Sequence, residues 1–205
     1  MIADIQLVFV RHGETEWTEK GLLHGHRDSP LSATGRRQAE LTAERLRTDK
    51  FDALYSSSLG RAMETASVLG EAVGLTPEPL DGLKEMYYGW MEGKPNPPFE
   101  PDGSGRNIYR PLVMLILRLT GEKPDHLFSR VKDSIHTMIE KHPASKLLTV
   151  THWGVLSVIM ATLLDNDPKR WRDYDHWAAC GVTEIHARNG KWHVIRLNDA
   201  GHLQE

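Results

Sequence analysis

Three short apolar runs constrain this chain more than any other feature: Leu7–Val10, Ala53–Ser56 and Leu147–Thr151. Each is continuous rather than alternating and contains β-branched or aromatic residues, as expected of strands covered on both faces. Helical periodicities lie between them. Ala39, Ala43 and Leu46 recur at helical spacing. Ala62, Ala66, Leu69 and Val73 do the same, with Gly74 as a C-terminal stop. Phe128, Val131, Ile135, Met138 and Ile139 form another stripe, closed by Pro143. Val155–Leu164 is apolar nearly all round, as in a buried helix. Strand–helix alternation predicts an α/β three-layer sandwich with a mostly parallel central sheet flanked by helices. Val182–Ala187 and Trp192–Leu197 alternate more and flank Asn189-Gly190, which predicts an antiparallel hairpin at or near an edge.

The length of 205 residues predicts one domain, 1–205, that buries roughly 70% of its unfolded surface. One stretch breaks the alternation. Residues 94–126 carry six prolines, among them Pro95, Pro97, Pro98 and Pro101, and three glycines. A long irregular segment inside a compact domain is usually functional, so this one reads as a cap-like insertion over one end of the sheet. Its apolar part, Leu112–Leu119, predicts a short packed helix.

The 25 Lys and Arg against 28 Asp and Glu give a net charge of −3. That balance argues against indiscriminate nucleic-acid binding. No run reaches the ~18 apolar residues of a membrane span, and Met1–Leu7 lacks the features of a signal peptide. The single cysteine, Cys180, forms no intrachain disulfide and reads as a small buried apolar residue. A cytoplasmic location is expected, without membrane or nucleic-acid partners. Nothing in the sequence specifies an oligomeric state.

Each apolar run leads into a polar turn. Arg11-His12-Gly13-Glu14-Thr15 follows the first, Ser57-Ser58-Leu59-Gly60-Arg61 the second and His152-Trp153-Gly154 the third. In a parallel sheet these turns share the C-terminal edge, where open α/β folds bind ligands. Helices start just after Ser58 and Gly154, so two helix N-termini are expected to favour an anion there. Two arginines, two histidines and two helix starts at one place describe a phosphate-sized anion site.

The same residues resemble the signature of the histidine phosphatase superfamily, also called phosphoglycerate-mutase-like. Leu7–Thr15 is similar to its first element, Asp28–Ala39 to its second and Tyr55–Ala66 to its third. Leu83–Gly93 and Val150–Gly154 are similar to the fourth and fifth, and Leu197–Leu203 resembles the ending of small bacterial phosphatases in the family. The matches occur in order and span nearly the whole chain.

The resemblance implies that His12 is a nucleophile forming a phosphohistidine. It implies that Arg11, Arg61 and His152 surround the equatorial phosphate oxygens, and that Glu85 is the acid and then the base. Neutral imidazole attacks at ordinary pH, and guanidinium forks suit phosphate oxygens. Glu85 must carry a proton when the leaving group departs. No metal or other cofactor is required. His24 and His26 lack a companion set of metal ligands, no P-loop is present, and Cys180 lacks the arginine of a cysteine-phosphatase loop.

Departures from the family bear on the substrate. Thr18 stands where the family often has Asn, Trp153 follows the second histidine where Gly is usual, and His24-Gly25 replaces Gln-Gly or Ser-Gly. Thr18, His24, Gly25 and Trp153 are therefore expected at the substrate, with Lys94, Arg106, Tyr109 and Arg110 from the insertion. The expected reaction is metal-independent hydrolysis of a small phosphorylated metabolite, releasing inorganic phosphate. Two alternatives stand beside it: a cofactor-dependent phosphoglycerate mutase, and a regulatory phosphate-binding protein with little turnover. The mutases carry paired arginines in the insertion, whereas Arg106, Arg110 and Arg118 are isolated here, which favours hydrolysis.

Overall fold

The structure, a computed structural model, describes residues 4–95 and 110–204. Its strands are β1 (Ile5–Arg11), β2 (Ala53–Ser57), β3 (Glu78–Leu80), β4 (Lys146–Thr151), β5 (Val182–Arg188) and β6 (Lys191–Asp199). Its helices are α1 (Glu16–Glu19), α2 (Ala33–Leu46), α3 (Gly60–Val73), α4 (Arg110–Thr120), α5 (Pro124–Lys141) and α6 (Trp153–Leu164). The strand order is β3-β2-β4-β1-β5-β6. The first four are mutually parallel, and β5 and β6 run antiparallel at the far side. Asn189 and Gly190 turn that hairpin at φ 52° and 73°, as a two-residue turn matched to strand twist requires.

The continuity of the central runs follows from the two cores. Along β1, Ile5, Leu7 and Phe9 face α5 and α6, whereas Val8 and Val10 face α2 and α3. Successive strand side chains point to opposite faces, so a strand covered on both sides has no polar position to spare. Leu127, Val131 and Met138 present one face of α5 to the first core. Gly74, at φ 75°, ends α3 in the left-handed conformation. Cys180 is buried and unpaired, and burial pushes its thiol up to about 12.

This topology makes the crevice. Neighbouring strands β1 and β4 pair Arg11 with Thr151 at their C-terminal ends. The chain after β1 passes to the α2 side, and the chain after β4 enters α6 on the other side. Where neighbouring connections diverge, a ligand can enter the rim of the sheet. No helix among the described residues is long and apolar enough to cross a membrane.

Some expectations change. β3 contains Pro79 and three residues only, too short for a pattern to betray it. Residues 96–109 of the expected insertion, with Arg106 and Tyr109, lie outside the described residues. The expected helix is present as α4, but its packing is partial: Leu112, Leu115 and Leu119 are 55, 51 and 73% exposed. Its C-terminal end is held where Thr120 Oγ1 accepts from Trp90 N at 3.2 Å.

Leu127→Ala and Leu119→Ala separate these two environments. Leu127 is fully buried in α5, so its truncation is expected to cost about 2–5 kcal/mol. Leu119→Ala is expected to change stability by no more than about 0.5 kcal/mol. Urea unfolding of the two variants checks both; comparable losses would mean that α4 is packed into a core.

Candidate active site

His12 directly follows β1 and is 5% exposed. Its backbone continues the ladder, with His12 N donating to Thr151 O at 3.0 Å. Its Nδ1 lies 2.8 Å from Gly13 O. A carbonyl only accepts, so Nδ1 carries the proton and the lone pair of the neutral ring sits on Nε2. Arg61 Nε donates to that Nε2 at 3.3 Å. Burial, then the charges of Arg61 and Arg11, hold His12 well below the ordinary imidazole range.

His152 is fully buried, with its ring centroid 5.0 Å from that of His12. Ser57 Oγ accepts from Leu59 N at 3.3 Å and lies 2.7 Å from His152 Nε2. The Ser57 proton can therefore go to Nε2, which places the ring proton on Nδ1. Burial first, then the charge of Arg61, with Arg11 adding to it, hold this ring well below the ordinary imidazole range too. Arg11 Nη1 donates to Trp177 O at 2.5 Å. Among the described residues, Arg11 Nε and His152 Nδ1 are buried without a partner. Unpaired buried polar atoms of this kind cost roughly 1–3 kcal/mol each and are rare.

Arg61 enters from the first turn of α3 and is 1% exposed. Nη2 donates to Gly25 O at 2.8 Å, and Nη1 donates to Arg27 O and Asp28 Oδ1, each at 3.1 Å. Gly25 thus serves through its carbonyl. It also cannot be another residue cheaply: its φ is +66°, and a Cβ there would lie 1.9 Å from Glu92 Oε1. Glu92 is 4% exposed and accepts from the backbone N–H groups of His26, Arg27 and Tyr88 at 2.8, 3.0 and 3.0 Å.

The two helix N-termini do not stand open as expected. Asp28 accepts from Gly60 N and, at 3.3 Å, from Arg61 N, so it caps α3 from outside the helix. Glu85 Oε2 accepts from Gly154 N at 3.2 Å in the first turn of α6. The helix starts do favour anions, but the protein's own carboxylates fill both places. Gly154 permits the second contact, because a Cβ there would lie 2.6 Å from Glu85 Oε1. Glu85 is 7% exposed, and its Oε1 accepts from Met86 N at 2.8 Å.

The other expected substrate residues are dispersed. His24 is near His12, with ring centroids 6.4 Å apart, and its Nε2 is 2.6 Å from Thr15 Oγ1. Burial, Arg61 and Arg11 lower its pKa to about 4. Thr18 Oγ1 turns to Thr15 Oγ1 at 3.0 Å. Trp153 is partly buried against the larger core. Lys94 Nζ lies 3.8 Å over the ring of Trp90, which is itself 61% exposed. Of Arg110 only the backbone is described, as the first residue of α4. Sequence reasoning assigned nothing to Asp28, Glu92, Glu122 or Arg130. Two of them lie within quoted family elements, but only long-range contacts reveal what they hold. Among the described residues no three His, Cys, Asp or Glu side chains are grouped as a metal site needs.

A neutral histidine with a directed lone pair, two arginines and a buried carboxyl at a parallel sheet's rim are the groups that phosphoryl transfer uses. The chain belongs to the histidine phosphatase superfamily (branch 1), whose model matches residues 7–200, and it is a phosphoric monoester hydrolase. It is 30% identical to an Arabidopsis thaliana protein named metal-independent phosphoserine phosphatase, over 97% of this chain and 83% of that one. It is 29% identical to a Yersinia enterocolitica protein named "Probable phosphoglycerate mutase GpmB", over 92% of this chain and 87% of that one. The solved structure of Bacillus stearothermophilus YhfR matches with a TM-score of 0.83 and 26% identity, covering 98% of this chain and 100% of that one.

The buried rings set a pH dependence. In the unfolded chain His24 takes up a proton below about 6.5, but in the folded protein only near 4. The unfolded state binds more protons between these values, so stability falls as pH is lowered through that window. His12 and His152 act in the same direction. A proton NMR titration should give a His24 midpoint near 4. His24→Gln should make the loss of stability from pH 6.5 to 4 shallower. A midpoint near 6.5 would contradict the burial and charge argument.

Proposed function

We propose that this hydrolase acts on a small phosphorylated metabolite in two steps through His12. The observation that carries the reading is the fixed tautomer: Gly13 O holds Nδ1, and the Nε2 lone pair faces the cationic cradle. An arriving phosphoryl group takes the Arg61 N–H onto one of its oxygens and frees that lone pair. Nε2 then attacks phosphorus, the P–O bond to the leaving group breaks, and Glu85 gives its proton to the departing oxygen. Arg11 Nε and the Nδ1–H of His152 supply unpaired donors for the equatorial oxygens, as preorganised charge stabilisation requires. In the second step Glu85 takes a proton from water. The resulting oxygen nucleophile attacks the phosphohistidine, and inorganic phosphate leaves.

His24 is the specificity residue best supported by position, and Gly25 acts through Arg61. Thr18, Trp153, Lys94, Arg106, Tyr109 and Arg110 complete the proposed substrate surface, the last four flanking or belonging to the cap-like segment 94–126 of a single domain. The match to a metal-independent phosphoserine phosphatase supports hydrolysis without a metal and puts phosphoserine first among substrates to test. A net charge of −3 supports a free metabolite rather than nucleic acid or an anionic membrane surface, and the cytoplasm is the proposed compartment.

Purified enzyme should hydrolyse p-nitrophenyl phosphate in excess chelator. It should form an acid-labile, alkali-stable phosphoprotein that His12→Ala abolishes. Loss of activity on chelation, or labelling that survives in the alanine variant, would refute the scheme. Glu85→Gln should lower kcat/KM for alkyl phosphates by about 10²–10⁴-fold. Its effect on aryl phosphates should be much smaller, because phenolate departs without a proton. Equal losses would remove Glu85 from the acid role.

A further inference from the structure

Among the described residues, no strand pairs with the loop that carries Glu85. After β3 the chain makes a short 3-10 turn, Asp81–Leu83, and then runs irregularly to Tyr88. Its carbonyls nevertheless all find donors from residues 82 to 85. Thr151 Oγ1 donates to Leu83 O at 2.9 Å. Arg130, on α5, takes the other three: Nη1 donates to Gly82 O at 2.8 Å and Lys84 O at 2.5 Å, and Nη2 donates to Glu85 O at 2.9 Å. Its remaining donors grip one carboxylate. Nε reaches Glu122 Oε1 at 2.7 Å, and Nη2 reaches Glu122 Oε2 at 2.8 Å.

All five N–H groups of this guanidinium are therefore used, three on the loop and two on its anchor. The anchor is itself fixed. The Glu122 carboxyl is 4% exposed, Glu122 N donates to Tyr87 O at 2.7 Å, and Tyr87 N donates to Glu122 Oε2 at 3.3 Å. The frame thus holds the backbone on both sides of residue 85. Burial, which would raise Glu122, is outweighed by the hydrogen bonds and charge of Arg130, and the carboxyl stays below its usual range.

A buried ion pair is a poor way to gain stability alone, because desolvation offsets its attraction. Its planar fork is a good way to fix several carbonyls at once. The geometry points to Arg130, anchored by Glu122, as the positioning residue that sets the height and direction of the Glu85 carboxyl. This rests on the reading of Glu85 as the proton donor. Arg130 touches no reacting atom. Proton transfer demands an oxygen–oxygen distance of about 2.6–3.2 Å, and a 1 Å misplacement can cost about 10²-fold. The effect of loosening the frame should therefore depend on how much the leaving group needs its proton.

The test is kcat/KM for a series of alkyl and aryl phosphates, since this ratio reports the phosphorylation step. Arg130→Lys keeps the charge but loses the fork, and Glu122→Gln removes the anchor's charge with little change of shape. Each should lower kcat/KM for alkyl phosphates by about 10- to 100-fold. Each should change it for p-nitrophenyl phosphate by less than about threefold, the activated leaving group needing little proton donation. In a Glu85→Gln background neither should cause further discrimination. Thermal melts accompany each protein, and if Arg130→Lys does not fold, Glu122→Gln decides. Equal losses on alkyl and aryl substrates, or discrimination that persists without the Glu85 carboxyl, would overturn the inference while leaving Glu85 as the acid. No discrimination in Glu85→Gln itself would overturn the acid reading and this inference together.

Discussion

The buried guanidinium of Arg61 is the charge around which the rest of the site is arranged. Taking such an ion out of water costs several kcal/mol unless its donors are met. The loop 25–28 meets them with two carbonyls and the carboxylate of Asp28. That loop has no sheet to lean on, so Glu92 gathers its N–H groups from the other side. Asp28 meanwhile caps the helix that carries Arg61, so one carboxylate fixes both the side chain and its backbone. Burial first, and then the permanent charge so fixed, holds His12 and His152 well below the ordinary imidazole range. The proposed nucleophilic role of His12 needs the lone pair of the neutral ring, and the arginines of the proposed phosphate cradle add to burial in keeping it free.

The carboxylates at the two helix starts divide the electrostatic work. Asp28 neutralises the beginning of α3, and Glu85 occupies the beginning of α6. Helix dipoles therefore contribute little direct attraction for a substrate. In the proposed reaction, selectivity for a tetrahedral oxyanion therefore passes to side-chain donors, above all those of Arg11, Arg61 and His152. The sheet fixes the placement of each: Arg11 ends β1, His152 follows β4, and Arg61 lies one turn beyond β2. Because β1 and β4 are in register and β2 pairs with β4 on its other side, three separate turns fall within one crevice.

What could be read from sequence was whatever leaves a local pattern. Leu7–Val10 reads as a doubly covered strand because each residue enters one of two cores, and Gly74 reads as a stop because few other residues accept its φ. The polar residues of the rim were legible for a similar reason: each lies in the turn that follows an apolar run. Asp28, Glu92, Glu122 and Arg130 were not. A glutamate in an irregular loop has the same local sequence whether it faces water or grips three amides, and only contacts across tens of residues decide. The helix starts showed where free N–H groups would be, but not that Asp28 and Glu85 would claim them. The apolar stretch Leu112–Leu119 pointed to the helix seen as α4, yet an apolar stretch does not name what covers it. Hence Leu119 and Leu127 look alike in sequence and differ wholly in burial.

The two halves of the proposed reaction place opposite demands on Glu85, which in that scheme gives a proton and then takes one. A carboxylate offers about four lone-pair positions. In Glu85 one on each oxygen is taken by a backbone N–H, from Met86 and from Gly154. Those donors belong to the loop and to the first turn of α6, so they hold the carboxyl in one orientation in both protonation states. One position on each oxygen remains for the travelling proton. The group can therefore serve as acid and base without rotating, provided that the loop beneath it does not move. A rigid backbone under a single carboxyl thus does what would otherwise need two residues, and it explains why so much buried polar structure surrounds a loop with no regular hydrogen-bond ladder.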